Sequence, residues 1–479
     1  MYELKGQYIN GVWSNSINGE QIEVINPATE EVIGSCSSAT VEDTTNAILS
    51  AEAGLAVWGK YNAWERSAII RRVADLMRER VTANALITTL ETGKPIAQAE
   101  REWGLAIEQF EWFAEETKRI YGRTVESRLP NAQIRIDHSP IGVVGAFTAW
   151  NFPVALTARK IAPALASGCS IVCRPSNETP ASAAAIVECC HDAGVPPGVV
   201  NFVVGHTATT SPVLMQSPII RKISLTGSTP VGKMLVGQAA DTLKKVTMEL
   251  GGHSPCIVFD DADVSAALNA AVATKYANCG QVCVSPNRFY IQSAVFEQFS
   301  QGFAEQAKNL VVGNVFEVDA QVGPLRTAKR LAEVDELVQD AIKLGAQVLT
   351  GGKPVDCEKG YFYQPTVLIN VPADARLMHE ESFGPVAVIN SFDDLDEVIE
   401  KGNNTSFGLA AYIWSQSLHQ ATTTAERIKS GMVGVNTFAI ASAETPFGGI
   451  KESGFGREGG SECLEDYLDL KYTHIVTKP

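Results

Sequence analysis

The chain has 479 residues, of which 45% are hydrophobic, 8% aromatic and 19% charged; at roughly 150 residues per domain that is enough for two large domains or about three smaller ones, and it excludes a small stapled scaffold. Its 39 basic and 54 acidic side chains leave a net charge of −15 with no offsetting lysine- and arginine-rich run, which argues against nucleic acid and anionic membranes as partners. Ten cysteines are too dilute for a disulfide framework, and Cys169, Cys173, Cys189 and Cys190 lie among apolar neighbours, the usage of a reducing, cytoplasmic compartment.

The opening MYELKGQYINGVW has no basic stretch followed by an apolar one, so it is not expected to be a secretory signal. From Thr40 to about Leu90 the spacing is helical: Thr40 can cap with Asp43 three residues on, and Ile48, Ala51, Leu55 and Trp58, then Ile70, Val73 and Met77, recur on packing faces. Ser139–Ala158 carries no charge over twenty positions, but Pro140, Gly142, Gly145, Asn151 and Pro153 divide it into a short strand, a loop and a helix start, not a membrane span. Short β-type runs at Ile141–Phe147, Ser170–Cys173, Val199–Val204, Lys222–Leu225 and Val246–Leu250 alternate with helical stretches, as βαβ units of a mostly parallel sheet do. The alternation restarts at Pro255–Phe259, with a helix over Asp263–Tyr276 and a strand at Arg288–Ile291, so Gly251-Gly252 reads as a hinge between two α/β domains. The extended segments Gly122–His138 and Tyr467–Val476 are expected to form a small sheet outside both domains, either an oligomerisation arm or a pair of surface strands.

Several motifs bear on chemistry. One Gly-x-Gly-x-x-Gly occurs at Gly454, Gly456 and Gly459, but with no βαβ unit around it the usual dinucleotide fingerprint is rejected and a turn-rich loop is expected. Leu225–Met234 follows a strand and opens a helix. Gly227, Gly232 and Lys233 nearly fit a phosphate loop, which would make the chain a nucleotide hydrolase, but Met234 stands where a hydroxyl should hold magnesium and Pro230 removes an amide donor. The strand, turn and helix N-terminus still suit a pyrophosphate. Cys283, in the loop Asn278–Ser285, is the cysteine with the most suggestive setting, against the alternative of a small buried hydrophobe. Glu249 ends an apolar run, where desolvation makes a carboxylate a stronger base unless an ion pair satisfies it. The seven histidines show no metal spacing and no Cys-x-x-Cys is present, so no catalytic metal is expected.

Six strings, Trp150-Asn151-Phe152-Pro153, Gly227-Ser228-Thr229, Glu249-Leu250-Gly251-Gly252, Gly280-Gln281-Val282-Cys283, Glu381-Ser382-Phe383-Gly384-Pro385 and Pro446-Phe447-Gly448-Gly449, occur in this order across nearly the whole chain. In order and spacing they resemble the aldehyde dehydrogenase superfamily. The resemblance implies an α/β fold with a discontinuous Rossmann-like dinucleotide-binding domain (residues 1–121 and 139–250), an α/β catalytic domain (251–450) and a small β oligomerisation arm (122–138 and 464–479). It also implies Cys283 as nucleophile, Asn151 with the Cys283 amide as oxyanion donors, and Glu249 as the base that activates water. Trp150, Gly227, Ser228, Leu250, Glu381 and Phe383 would hold the cofactor. At Arg174 and Asn177 the family pattern has a Lys and a Glu that hold the adenosine ribose. Here the repelling carboxylate is lost and an arginine is gained, which keeps both NAD and NADP as cofactors.

Thr157-Ala158-Arg159-Lys160, the segment Gly454–Gly460 and Glu465-Asp466-Tyr467-Leu468 are similar to succinate-semialdehyde and α-ketoglutarate-semialdehyde dehydrogenases, and Gly251-Gly252-His253 leans towards the second. In that group an arginine at the position of Arg159 clamps the distal carboxylate, but the second arginine of the clamp is Ala277 here. Another aliphatic or aromatic aldehyde stays open, with Phe152, Tyr276 and Phe447 as tunnel residues or plain packing. Cys279, four residues before Cys283, is a redox partner or a loop filler. The expected molecule is a cytoplasmic homodimer or homotetramer. A cofactor-free thiol hydrolase and a non-catalytic relative are the other classes it is weighed against.

Overall fold

The structure is a computed structural model that describes residues 6–477; the ends of the first and last expected segments, residues 1–5 and 478–479, lie outside the described residues. Its largest sheet runs Gly454–Phe455, Lys245–Glu249, Ile220–Thr226, Val143–Phe147, Ser170–Arg174, Val200–Phe202, Gln7–Ile9 and Val12–Ser14 across. The five strands between residues 143 and 249 are parallel. The short flanking strands are antiparallel. From Val200–Phe202 the parallel strands stand third, second, first, fourth and fifth in chain order, so the winding reverses between Val143–Phe147 and Ile220–Thr226. A crevice opens at the carboxyl ends of those two strands, the place where doubly wound sheets take ligands.

These strands are apolar throughout because both faces are covered. Trp58, Trp103, Phe110 and Phe113 pack with the helix Pro153–Ser167 on one side. Ile48, Val172, Ile223 and Met248 pack on the other. The helical stretch after Thr40 is three helices, Val41–Trp58, Ala63–Glu79 and Val81–Thr92. Thr40 and Asp43 form the expected capping box and Asn62 with Glu65 forms a second, so local hydrogen bonding restarts the chain where apolar spacing alone runs on.

A second sheet runs Gln347–Thr350, Thr366–Ile369, Val386–Phe392, Pro286–Gln292, Ser254–Val258, Ala410–Trp414 and Met432–Val435. It is parallel except at its first edge. In a separate three-stranded sheet Leu468–Val476 pairs antiparallel with Ala132–Pro140, which pairs with Arg123–Glu126. The Gly454 segment is not wholly the turn-rich loop expected. Gly454 and Phe455 pair with Glu249 and Met248, because Gly454 at φ 113° brings its backbone against the Met248 carbonyl, where a side chain has no room. No described helix is long and apolar enough to cross a membrane.

Candidate active site

The helix Val264–Tyr276 runs into a tight turn, Ala277–Gly280, in which Asn278, Cys279 and Gly280 take φ values of 49°, 57° and 70°. Two successive left-handed residues with side chains, Asn278 and Cys279, are costly and persist only where the surroundings fix them. Here they do. Gln281 donates to the Asn278 and Pro324 carbonyls at 3.1 and 3.2 Å and accepts from the Arg326 amide at 2.9 Å. Lys275 donates to Ser285 Oγ and Asn287 Oδ1 at 3.2 and 2.6 Å, and Tyr412 Oη donates to the Val284 carbonyl at 2.7 Å. The loop so held presents Cys283, half-buried, at a cleft.

That cleft, of about 180 Å³, lies at the reversal of the first sheet and is lined by Ala149–Phe152 and Leu156, by Thr226–Ser228, by Leu250 and Gly251, and by Cys283, Arg330, Glu381 and Phe383. Trp150 meets Phe383 edge-on at 5.8 Å. Glu381 accepts from the Gly252 amide at 3.1 Å, and burial raises its carboxyl to about 7 against the pull of that amide, Arg330 and Lys275. Ser228 stands at the N-cap of the helix Thr229–Ala239 without a side-chain capping bond, so amides at the positive end of the helix stay available. A Cβ at Gly251 would come within 2.7 Å of Glu381 Oε2, filling space the cleft keeps clear. An open helix N-terminus, an aromatic pair and a carboxylate on one cleft wall fit a pyridine dinucleotide.

Burial, then Glu381 and Glu249, push the Cys283 thiol up to about 12, while Arg159 and the Val284 amide pull the other way. Asn151 donates through Nδ2 to the Gln281 carbonyl at 3.1 Å, which fixes the plane of an amide that has a second hydrogen to give. Glu249 is set back from the cleft wall. It is 2% exposed, neither carboxylate oxygen has a hydrogen-bond partner, and burial and then Glu458 raise it well above the carboxylate range, against Lys160, Arg159 and Arg457. Lys160 Nζ is ion-paired with Glu458 and donates to Thr226 Oγ1 at 2.6 Å.

The expected cofactor residues therefore gather in two places. Trp150, Gly227, Ser228, Leu250, Glu381 and Phe383 share the cleft with Cys283, Asn151 and Phe152. Arg174 and Asn177 lie one strand over. The Arg174 guanidinium donates to the Gly205 carbonyl and Thr207 Oγ1, each at 2.8 Å, and to Asn177 Oδ1 at 3.3 Å, while Asn177 lines a separate depression with Arg326 and Tyr361. Arg159 is 6% exposed, stacked at 4.5 Å over Phe447, and its Nη1 has no hydrogen-bond partner.

Tyr276 is not among the residues that line the cleft. It is 2% exposed, its hydroxyl donates to the Thr366 carbonyl at 3.1 Å and its ring packs on Phe303. As the last residue of a helix whose apolar face lies on the second sheet, it packs in that core. Phe447, 8% exposed, is likewise a core residue that supports Arg159. Cys279 is buried in the same core, and burial raises its thiol. Lys233 reaches Glu452 at 2.7 Å on the exposed side of its helix, so the phosphate-loop reading lacks its lysine. Among the described residues no cluster of metal ligands occurs.

Sequence reasoning missed Arg330, Lys160 and Glu458. The first is an ordinary charge in the helix Ala328–Lys343 and carried no signal. Lys160 beside Arg159 did carry one: two cations in the otherwise uncharged helix Pro153–Ser167 are unusual in a buried element.

The aldehyde dehydrogenase family description matches residues 13–473. The glutarate-semialdehyde dehydrogenase of Pseudomonas putida is 44% identical over 98% of this chain and 97% of that protein. The succinate-semialdehyde dehydrogenase [NADP(+)] of Escherichia coli is 43% identical over 98% and 97%. The crystal structure of succinate-semialdehyde dehydrogenase from Burkholderia pseudomallei superposes with a TM-score of 0.97 at 42% identity, over 99% of this chain and 98% of that one.

Proposed function

The chain belongs to the aldehyde dehydrogenase family, and from that premise we propose that it oxidises a short semialdehyde, one with a carboxylate at its far end, to the diacid with NAD or NADP. The observation that carries the reading is the convergence of Cys283, Asn151, Glu381 and the open helix N-terminus on one cleft. Trp150, Ser228, Glu381 and Phe383 would hold the dinucleotide, which supplies the acceptor for the hydride that leaves the aldehyde carbon. The Cys283 thiolate adds to that carbon and the carbonyl electron pair moves to oxygen. The Asn151 amide and the Cys283 backbone N–H hold the oxyanion, each such donor lowering the barrier by about 3 kcal/mol. Loss of hydride leaves an acyl thioester on Cys283. Glu249, made basic by burial, takes the proton of a water that attacks the thioester carbon, and the Cys283 thiolate departs as the acid forms.

Arg159 supports the substrate class. A buried guanidinium nitrogen without a partner is costly unless a ligand supplies the anion, and Arg159 acts electrostatically on both Cys283 and Glu249. Arg457 acts on Glu249 too, and Arg330 lines the cleft beside Cys283. Both dinucleotides belong to the reading: position 177 carries no carboxylate of its own, while Glu23 and Glu178 line the same depression and Arg174 already serves four internal acceptors. The same reading takes the three-stranded sheet as an oligomerisation arm.

The test is a steady-state panel of succinate, glutarate and α-ketoglutarate semialdehydes, hexanal and benzaldehyde, each with NAD and NADP, on the wild type and Arg159→Met. A semialdehyde should lead in kcat/KM, and Arg159→Met should lower that value about 100-fold more than it lowers hexanal's, as loss of one partner of a desolvated charge pair does. Preference for hexanal, or an equal loss on every aldehyde, refutes the semialdehyde assignment and leaves the family chemistry standing.

A further inference from the structure

Behind the cleft lies a buried ion pair that the reaction does not consume. Lys94, in the bend after the helix Val81–Thr92, and Glu102, on the helix Ile96–Glu116, meet at 2.6 Å with side chains 1% and 0% exposed. Burying two charges is costly, and an apolar pair of the same shape is often as stable, so a pair kept here points to a geometric task. Its hydrogen bonds show which. Lys94 Nζ donates at 2.8 Å to the Asn151 carbonyl and stands 4.4 Å over the Phe152 ring. Glu102 Oε1 accepts from the amides of Val154 and Ala155 at 2.7 and 3.2 Å, holding the first turn of the helix Pro153–Ser167. Asn278 Nδ2 donates at 3.0 Å to the same Asn151 carbonyl and at 3.2 Å to the Gln281 carbonyl, which also accepts the Asn151 side-chain amide. Glu102, Lys94, Asn151 and the nucleophile loop thus form one continuous chain of hydrogen bonds.

We propose that the Lys94–Glu102 pair is a positioning element for the reaction, clamping the backbone of Asn151 from behind so that its side-chain amide meets the oxyanion formed at Cys283. The proposal rests on the reading of Asn151 as oxyanion donor. Misplacing such a donor by even about 1 Å costs rate without touching the nucleophile.

The probe is 4-nitrophenyl acetate, which requires neither a matched aldehyde nor a dinucleotide: the Cys283 thiolate adds to the ester carbonyl through an oxyanion, 4-nitrophenolate leaves, and water later releases acetate from the thioester. Iodoacetamide is the control, since displacement of iodide by sulfur develops no oxyanion. It is followed at Cys283 by peptide mass spectrometry because Cys357 is exposed as well. Lys94→Met combined with Glu102→Gln, which leaves no buried charge unpaired, should slow the acylation burst by about tenfold or more while alkylation of Cys283 changes less than about twofold. Placed on Asn151→Ala, the same substitutions should add almost nothing, because the group they position is gone. If the double variant does not fold, Glu102→Gln alone should lower the ratio of acylation to alkylation in the same direction, and an unchanged ratio overturns the clamp. A full penalty on the Asn151→Ala background, or acylation and alkylation falling together, also overturns it. Asn151→Ala acylating at the wild-type rate refutes instead the oxyanion reading.

Discussion

Cys283 sits where a thiol is hard to ionise: burial raises it to about 12, and the nearest carboxylates, Glu381 and Glu249, push the same way. Only the thiolate attacks, so alkylation of Cys283 in the enzyme without dinucleotide should climb about tenfold per pH unit from pH 7 to 9 with no plateau; levelling near pH 8 would show that the burial argument fails. In turnover, Cys283→Ala should abolish both aldehyde oxidation and ester hydrolysis. Glu249→Gln should still give a first turnover of reduced dinucleotide and then stall as the acyl-enzyme, visible as a burst in stopped-flow absorbance and as an added acyl mass on the protein. Steady turnover by either variant removes that residue from its role. Cys283 and Glu249 stood out in the sequence because a cysteine in a glycine loop and an acid closing an apolar strand are locally anomalous. Arg330 and Lys94 did not, since nothing next to them in the chain differs from an ordinary helix charge or bend.

The nucleophile loop depends on a close approach between two distant segments. Gly280 has φ 70°, and a Cβ there would fall onto the Gly384 carbonyl. Gly19 also has φ 70° but faces open space, with no atom within 4 Å. Gly19→Ala should therefore cost only the left-handed strain of about 1–3 kcal/mol. Gly280→Ala should cost clearly more in denaturant unfolding and should also lower kcat, because the loop must shift. Equal losses for the two would show that Gly384 yields and that close packing does not fix the loop. Helices and strands were readable at this scale, since amphipathic spacing and caps are local. The division of the Thr40–Leu90 stretch was missed because Asn62 with Glu65 is a signal of two residues inside a continuous apolar pattern. The pairing of Gly454–Phe455 with Met248–Glu249 was missed because it joins residues some 200 positions apart.

On the outer sheet, Leu470, Tyr472 and Val476 are 69%, 61% and 52% exposed and share one face of a nine-residue edge strand. An apolar, unpaired edge of this length invites a second copy of the chain. Leu470→Asp with Tyr472→Asp should shift a dimer or tetramer to a smaller species in analytical ultracentrifugation while the thermal midpoint changes little. A wild type that sediments as a monomer, or a variant that sediments unchanged, removes the arm from assembly. The sequence by itself determined the alternation of strands and helices and the two runs of βαβ units, and it singled out Cys283, Glu249 and Asn151 as the candidates for the chemistry, because period, cap and motif are properties of neighbouring residues. Only the tertiary structure decided that the parallel strands reverse their winding beside Trp150 and Ser228, that Tyr276 turns into the core, that Arg174 and Asn177 stand one strand away from the cleft, and that Lys94 lies behind Asn151. Those outcomes depend on strand order and on hydrogen bonds between residues far apart in the chain, which no local pattern encodes.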